Sequence, residues 1–210
     1  MINYTATNVK VLNEFLPAEL INGDKFSFIP CSNRRTALHY SNKYRIHEND
    51  IYDLSDYLAQ FHIWFLKENN IKYKLSDEAP ESFKDLCKLN PHNLVIADYG
   101  SEKTIYRDKA SNYDFRAVHD FCHLATNGNF SESGEKTAIK RQYSALCLFM
   151  SGLDLDIVTK LKFCKLFLID TALQVRYYYE TKKFVDDQKA FALHHMNNTA
   201  LTEIIEYLHA

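Results

Sequence analysis

Two imidazoles and two carboxylates fall within one 17-residue stretch of the chain. His119, Asp120 and His123 lie within five positions, and eleven residues separate His123 from Glu135. On a helix, residues four apart project from the same face, so the two histidines would lie one turn apart. Nitrogen and oxygen groups of this kind are ligands of zinc and related divalent metals. The stretch therefore predicts a metal site, and a metal with an open coordination position could polarise a substrate or activate water.

The segment between the histidines and the glutamate predicts how they meet. Residues 127–129, Asn-Gly-Asn, are typical of a helix end, and a serine shortly afterwards can cap a second helix. A short connection makes the two helices neighbours, so His123 in a last turn would face Glu135 in a first turn. We expect His119, His123 and Glu135 to bind the metal. Asp120 would either bind it too or orient an imidazole.

Each of these residues also has a purely structural interpretation. Imidazoles near a helix C-terminus, and a glutamate in a first turn, are what the helix dipole favours. Asp120 could be a surface charge. The joint spacing favours a metal, but a closed structural metal or a hydrogen-bonded polar cluster would fit a non-catalytic binding module.

Several other polar residues are candidates for binding a substrate. Arg116 lies one turn before His119 and could bind an anionic group of the substrate, acting with Asp120 in catalysis, or could form an ion pair. Gln174 shares a helix face with Asp170 in an otherwise apolar region, so it is a second candidate for substrate binding. The adjacent pair His194-His195 is a weaker source of metal ligands, because neighbouring helical residues diverge by about 100°.

Composition and charge narrow the range of partners. With a formal net charge of −2, the 210-residue chain gives no reason to expect nucleic-acid binding, and we expect a small-molecule substrate. Five cysteines without a CxxC pair predict reduced thiols and a cytoplasmic protein, with Cys122 as a packing residue. We expect neither a secretory signal nor a membrane-spanning segment. Peripheral membrane contact, a homo-oligomer and a host-protein partner stay open.

The pattern of apolar residues predicts a single all-α domain over residues 1–210. Only 5 Gly and 4 Pro favour long regular elements, and apolar residues from Ile51 to Phe65 recur at helical spacing. We expect residues 1–48 to be irregular, apart from a brief strand-like alternation over 25–30. Residues 49–210 should form a helical bundle. The expected helices span 49–69, 81–89, 111–126, 131–151, 154–183, 186–196 and 199–209.

The string from His119 to Glu135 resembles the signature of the Coq-four family of ubiquinone-biosynthesis proteins, HD-x-x-H-(x)11-E. The resemblance covers about 35 residues around the motif, from Tyr113 to Ala145. It implies an all-helical fold, a metal held by His119, Asp120, His123 and Glu135, and an association with membranes. It also implies a quinone-like aromatic substrate and a lyase that removes a ring carboxyl group.

Two further resemblances imply other functions. An arginine, an HD pair, a further histidine and a Gly-Glu pair are similar to uncharacterised helical domains of large bacteriophages, which fits a factor that engages a host protein. The pair His119-Asp120, with His92 and a distant aspartate such as Asp170, resembles the pattern of HD-type phosphohydrolases. That pattern requires neither His123 nor Glu135. We therefore expect a metal-dependent enzyme, with zinc, iron or manganese, of the lyase or hydrolase class.

Overall fold

The computed structural model of the protein describes residues 45–210. This part of the chain is mostly helical, which confirms the predicted all-α bundle. Two short parallel strands are added to it, β1 (Lys72–Ser76) and β2 (Asn93–Ala97). The helices are α1 (Glu48–Glu68), α2 (Phe83–Leu86), α3 (Lys109–Thr126), α4 (Glu132–Ser151), α5 (Ile157–Leu168), a π-helix (Ile169–Leu173), α6 (Gln174–Thr181), α7 (Gln188–Asn198) and α8 (Leu201–His209).

Helix α1 forms the middle of the core and packs against α3 and α5. Its apolar stripe is buried as the sequence predicts, with Ile51, Leu58 and Phe61 no more than 1% exposed. The helix begins one residue earlier than predicted, at Glu48, and the backbone N–H of His47 donates to the Asp50 carboxylate at 2.7 Å. Burial of such large side chains is the main force that stabilises a bundle of this kind.

The two strands were not predicted from the sequence. They pair in parallel with Lys72 opposite Asn93 and Ser76 opposite Ala97, and β2 packs against α3. The helix predicted over 81–89 is reduced to the single turn of α2, which Ser82 caps by accepting a hydrogen bond from the backbone of Asp85. Strands this short, one of them mostly exposed, give little alternation to recognise.

The helix hairpin formed by α3 and α4 carries the predicted metal ligands. Helix α3 begins at Lys109, two residues before the predicted start at residue 111, because Asp108 caps it by accepting from the backbone N–H of Ser111 at 2.8 Å. It ends at Thr126 as predicted, and Asn127 adopts the left-handed conformation (φ 52°). Ser131 then caps α4, which confirms the prediction that a serine shortly after residues 127–129 caps the second helix.

Two glycines allow the hairpin to close tightly. A Cβ atom on Gly134 would lie 1.9 Å from the backbone oxygen of Asn129. A Cβ atom on Gly128 would lie 2.8 Å from the backbone oxygen of Gly134. Larger residues at either position would push the start of α4 away from the end of α3. The close approach therefore sets the position of Glu135, the next residue in α4, relative to His123.

The helix predicted over 154–183 is interrupted. It begins with α5, which Asp156 caps, and a π-helix of five buried residues (Ile169–Leu173) precedes α6. A π-helix adds a residue to one turn, so it changes which side chains share a face afterwards. Apolar periodicity alone does not reveal such an insertion. The final helices, α7 and α8, lie about two residues later than predicted at their starts.

The strand-like alternation predicted over residues 25–30 lies outside the described residues. So does the predicted irregular segment, residues 1–48, up to residue 44. Within residues 45–210, no helix is both long and apolar enough to cross a bilayer. Cys122 is fully buried among apolar side chains, which confirms its predicted role in packing.

Candidate metal centre

Three side chains of the α3–α4 hairpin bring one ligand atom each to the same point. The Nε2 atoms of His119 and His123 lie 3.1 Å apart, and the Oε2 atom of Glu135 lies 3.1 Å from the first and 3.2 Å from the second. His119 and His123 come from successive turns of α3, and Glu135 comes from the first turn of α4. These are three of the four ligands predicted from the sequence, and this group could hold a metal ion.

The other ring nitrogen of each histidine is held by a hydrogen bond. Nδ1 of His123 lies 2.7 Å from the backbone oxygen of Gly128, which can only accept, so Nδ1 donates. Nδ1 of His119 donates in the same way to Oε1 of Gln142, at 3.2 Å. A neutral imidazole carries one proton, so both Nε2 atoms are left with a lone pair. A hydrogen-bond acceptor opposite the ring nitrogen that does not bind the metal commonly orients metal-binding histidines in this way.

The convergence of three acceptors is the feature that needs an explanation. Two Nε2 lone pairs and a carboxylate oxygen repel one another unless a cation, either a proton or a metal, lies between them. The edges of this triangle, 3.1–3.2 Å, are close to the ~3.3 Å between ligand atoms in a tetrahedral site with bonds of ~2.0 Å. The donor set of two histidines and one glutamate is also that of many catalytic zinc sites. These residues therefore fit a divalent metal.

Without a metal, protons bind the cluster in its place. Burial raises the pKa of Glu135, but hydrogen bonds from His119 and His123 outweigh it and lower the pKa to about 2. Burial also opposes protonation of His119, yet its hydrogen bond and charge interaction with Glu135 raise the pKa of His119 above 6.5. The glutamate is thus an anion throughout the physiological range. A cation at this position is favoured electrostatically.

The site is enclosed on one side and open on the other. The side chain of His123 is 1% exposed, whereas those of His119 and Glu135 are 19% and 17% exposed. Phe115 stacks on His119 with the ring centroids 5.8 Å apart, and Phe130 packs edge-on against His123 at 5.0 Å. Aromatic rings therefore flank both histidines, and access is from the side of His119 and Glu135.

Asp120 lies beside this group but not in it. Its carboxylate is not among the mutually close ligand atoms in the described residues 45–210. Adjacent helical residues diverge by about 100°, which directs Asp120 away from the shared face of the two histidines. Burial raises the pKa of Asp120 to about 6, while the charges of His119 and His123 hold it down. Asp120 therefore acts on the cluster through its charge.

Arg116 contacts the backbone of the preceding loop and neither acid of the cluster. Its Nη1 atom donates to the carbonyl oxygens of Ala97 at 3.0 Å and Tyr99 at 2.7 Å, and Nη2 donates to that of Gly100 at 2.9 Å. This guanidinium anchors the end of β2 to α3. Because the guanidinium already donates three hydrogen bonds to carbonyl oxygens, few of its N–H groups are left to bind an anionic substrate.

Gln174 and Asp170 form a polar pair, as their shared helix face suggested. Nε2 of Gln174 donates to Oδ1 of Asp170 at 2.8 Å. Asp170 is 6% exposed, and burial raises its pKa to about 7, while the hydrogen bond from Gln174 and the charge of His119 act in the opposite direction.

The other histidines in the described part of the chain do not join the cluster. Nδ1 of His195 hydrogen bonds to Oγ1 of Thr199 at 2.7 Å, and His194 contacts Asn198. His92, which the HD-type pattern requires, hydrogen bonds to the backbone oxygen of Asn69 at 3.0 Å. Sequence reasoning missed Gln142, whose position seven residues after Glu135 places both on one helix face. It also missed the carbonyl of Gly128, which no residue type could indicate.

Comparison of the chain with known protein families, with curated proteins and with solved structures found no match.

Proposed function

We propose that the protein is a metal-dependent enzyme that acts on a small molecule. His119, His123 and Glu135 would hold the metal, and Asp120 would modulate it through charge. A divalent metal at this position supplies a Lewis acid, or a bound water of lowered pKa. The residues of the chain hold the metal, restrict solvent on the side of His123, and leave the side of His119 and Glu135 accessible.

One observation carries the proposal. Both imidazoles use Nδ1 as a hydrogen-bond donor, so their Nε2 lone pairs and the Glu135 carboxylate meet with no donor between them in the neutral forms. Such an arrangement costs free energy in a metal-free core and is what a metal-binding site requires. A merely structural histidine pair would be expected to pair each lone pair with a separate donor.

The three ligands that residues 45–210 supply fit a catalytic metal site. Structural zinc sites have four protein ligands, whereas catalytic sites have three and keep a position for water or substrate. Residues 45–210 contribute three to this group. The binding module with a closed metal or polar cluster remains the alternative, and no observation in the described residues favours it.

Zinc is the metal that we propose first, with iron and manganese as the alternatives. Two histidines and one glutamate form the ligand set of catalytic zinc in hydrolases. The same set is the facial triad of non-haem iron(II) enzymes. The ligands alone do not separate these metals, so elemental analysis must do so.

The reaction class that we propose is a lyase, in particular a decarboxylase, or a hydrolase. The resemblance to the Coq-four family suggests a quinone-like aromatic acid, and the rings of Phe115 and Phe130 beside the histidines suit an aromatic substrate. The HD-type phosphohydrolase has less support, because His92 and Asp120 lie outside the convergent group. A cytoplasmic location, peripheral membrane contact, self-association and a host-protein partner stay predictions.

Metal analysis of the purified full-length chain tests the proposal. We expect near-stoichiometric metal in the native protein and loss of it in His119→Ala and Glu135→Ala variants that remain folded. His194→Ala is the matched control, since His194 lies on α7 outside the cluster, and it should keep the metal. A native protein without metal, which also fails to take up zinc, iron or manganese, would overturn the proposal.

A further inference from the structure

Two neighbouring tyrosines of α6 contact different parts of the protein. Tyr178 stacks on the exposed ring of Phe184, with the ring centroids 4.7 Å apart. Tyr179 instead reaches the loop of the α3–α4 hairpin, where its hydroxyl donates to the backbone oxygen of Phe130 at 2.8 Å. This hydrogen bond joins residues 49 apart in the sequence, and Tyr179 lies outside the predicted metal motif. It therefore connects α6 to the hairpin that carries the metal ligands.

The loop of residues 127–131 serves the metal centre in two ways. Within it, the carbonyl oxygen of Gly128 accepts from Nδ1 of His123 at 2.7 Å, and the ring of Phe130 packs edge-on against the same imidazole at 5.0 Å. The loop also leads directly into the first turn of α4, which carries Glu135. The position of the loop therefore affects the orientation of one ligand and the location of another.

The contact from Tyr179 restrains the backbone of this loop. A peptide group is planar and rigid, so a hydrogen bond to the carbonyl oxygen of Phe130 restricts rotation of the whole peptide unit that follows it. The ring of Phe130 is held separately, since it also packs edge-on against Phe83 at 6.0 Å. Phe130 is thus held through its backbone by α6, and through its ring by α2 and His123.

The hydroxyl of Tyr179 remains a donor at physiological pH. Burial raises its pKa above the usual value of 10, and the charge of Glu135 acts in the same direction. A protonated phenol can donate to a carbonyl oxygen, which has no proton of its own to give. The hydrogen bond to Phe130 is therefore present wherever the neutral histidines are able to bind a metal.

We propose that Tyr179 is a positioning residue of the metal centre. By holding the carbonyl group of Phe130, it fixes the loop whose Gly128 carbonyl orients His123. Tyr179 does not belong to the group of ligands, so it acts only through the loop. The close approach at the two glycines allows the hairpin to close, and a contact from a separate helix keeps the loop in place. This inference rests on the proposed function in one respect, that His123 binds a metal.

The Tyr179→Phe variant of the full-length protein tests the inference, because it removes only the hydroxyl. We expect zinc to bind about tenfold more weakly, the lower end of the effect of removing a group that orients a metal ligand. Competition with a chromophoric chelator measures this. The visible absorption spectrum of the cobalt(II)-loaded variant should also change, since it reports the geometry of the ligands. In metal-free protein, NMR should show faster solvent exchange of the Nδ1 proton of His123.

Tyr207→Phe is the matched control. The hydroxyl of Tyr207 donates to Oε1 of Glu132 at 3.0 Å, so this variant also loses one hydrogen bond between a late helix and the start of α4. The acceptor here is a side chain, which keeps its ion pair with Lys136 at 3.1 Å. Tyr207→Phe should therefore lose about as much stability to urea as Tyr179→Phe, yet keep the zinc affinity and the cobalt spectrum of the native protein.

The possible results separate the inference from the proposed function. Native zinc affinity and a native cobalt spectrum in Tyr179→Phe would overturn the inference and leave the proposed function intact. An equal loss of zinc affinity in both variants would also overturn the inference, because it would reflect lost stability alone. A native protein that binds no zinc, iron or manganese would overturn the proposed function. Faster exchange of the His123 proton in Tyr179→Phe alone would still uphold the role of Tyr179 in orienting that imidazole.

Discussion

Gln142 provides the sharpest test of how the chain prepares His119 for a metal. Its Oε1 atom accepts from Nδ1 of His119 at 3.2 Å, and this contact selects the tautomer with a lone pair on Nε2. Leucine at position 142 has a similar volume but offers no acceptor. In the Gln142→Leu variant, the imidazole can rotate or place its proton on Nε2, where it competes with the metal.

The expected loss of zinc affinity follows from the typical effect of removing one residue that orients a metal ligand. Mutation of a residue that orients a metal ligand typically weakens metal binding 10–100-fold, or about 1.4–2.7 kcal/mol. The stability of the metal-free protein should change much less. The variant loses one hydrogen bond, worth about 1 kcal/mol, but also removes the unpartnered Nε2 of Gln142, whose burial costs about 1–3 kcal/mol.

Two measurements on the same samples test this reasoning. Zinc affinity is measured by competition with a chromophoric chelator at a pH above the pKa of His119, and stability by urea unfolding of the metal-free protein. Gln142→Glu is the matched control, because it keeps an acceptor for Nδ1 and should keep or raise zinc affinity. Zinc affinity in Gln142→Leu equal to that of the native protein would refute the role of the amide, whatever the effect on stability.

Three further predictions concern the hairpin and its protonation. Gly134→Ala should destabilise the protein by roughly 1–3 kcal/mol and weaken zinc binding, because its Cβ would lie 1.9 Å from the backbone oxygen of Asn129. Thermal unfolding checks this, with Gly152→Ala as the control, since its Cβ would meet only the backbone oxygen of Phe149 at 3.5 Å. Zinc affinity should fall as the pH drops through the pKa of His119, which lies above 6.5, because protons then compete for Nε2. Metal-free protein should gain stability from Glu135 above pH 4.5 and lose it as the pH falls towards 2, the direction set by a lowered carboxyl pKa. Urea unfolding across this range should show a weaker pH dependence in Glu135→Gln.

Different results would contradict each of these predictions. Native-like unfolding and zinc binding in Gly134→Ala would show that the hairpin can relax without moving Glu135. A zinc affinity that stays constant on acidification through the pKa of His119 would argue that this imidazole is not a ligand. An unchanged pH dependence in Glu135→Gln would assign the acid sensitivity to other carboxyl groups.

The sequence predicted the parts of the site whose geometry is local. His119 and His123 share a face because they are four residues apart, and a capped turn brings the next helix back so that Glu135 faces them. Asp120 shows the limit of reasoning from proximity in sequence. It is next to a ligand along the chain, but a neighbour on a helix points about 100° away.

Sequence reasoning missed the two strands and the structural role of Arg116 for a related reason. The partners of Arg116 are backbone carbonyls at the end of β2, and their positions depend on a short parallel strand pair. Two five-residue strands, one of them mostly exposed, show little apolar alternation that a sequence pattern could reveal. An arginine near a metal motif therefore suggested anion binding, whereas the fold uses it to hold the loop that follows β2.

The buried polar side chains of His62, Gln142 and Asp170 could not be predicted from spacing, since they come from α1, α4 and the π-helix. Asp170 depends on the π-helix most directly. One inserted residue changes the face on which it lies, and apolar periodicity is insensitive to that change because all five π-helical residues are buried. The hydrogen bond from Gln174 then holds the carboxylate in place.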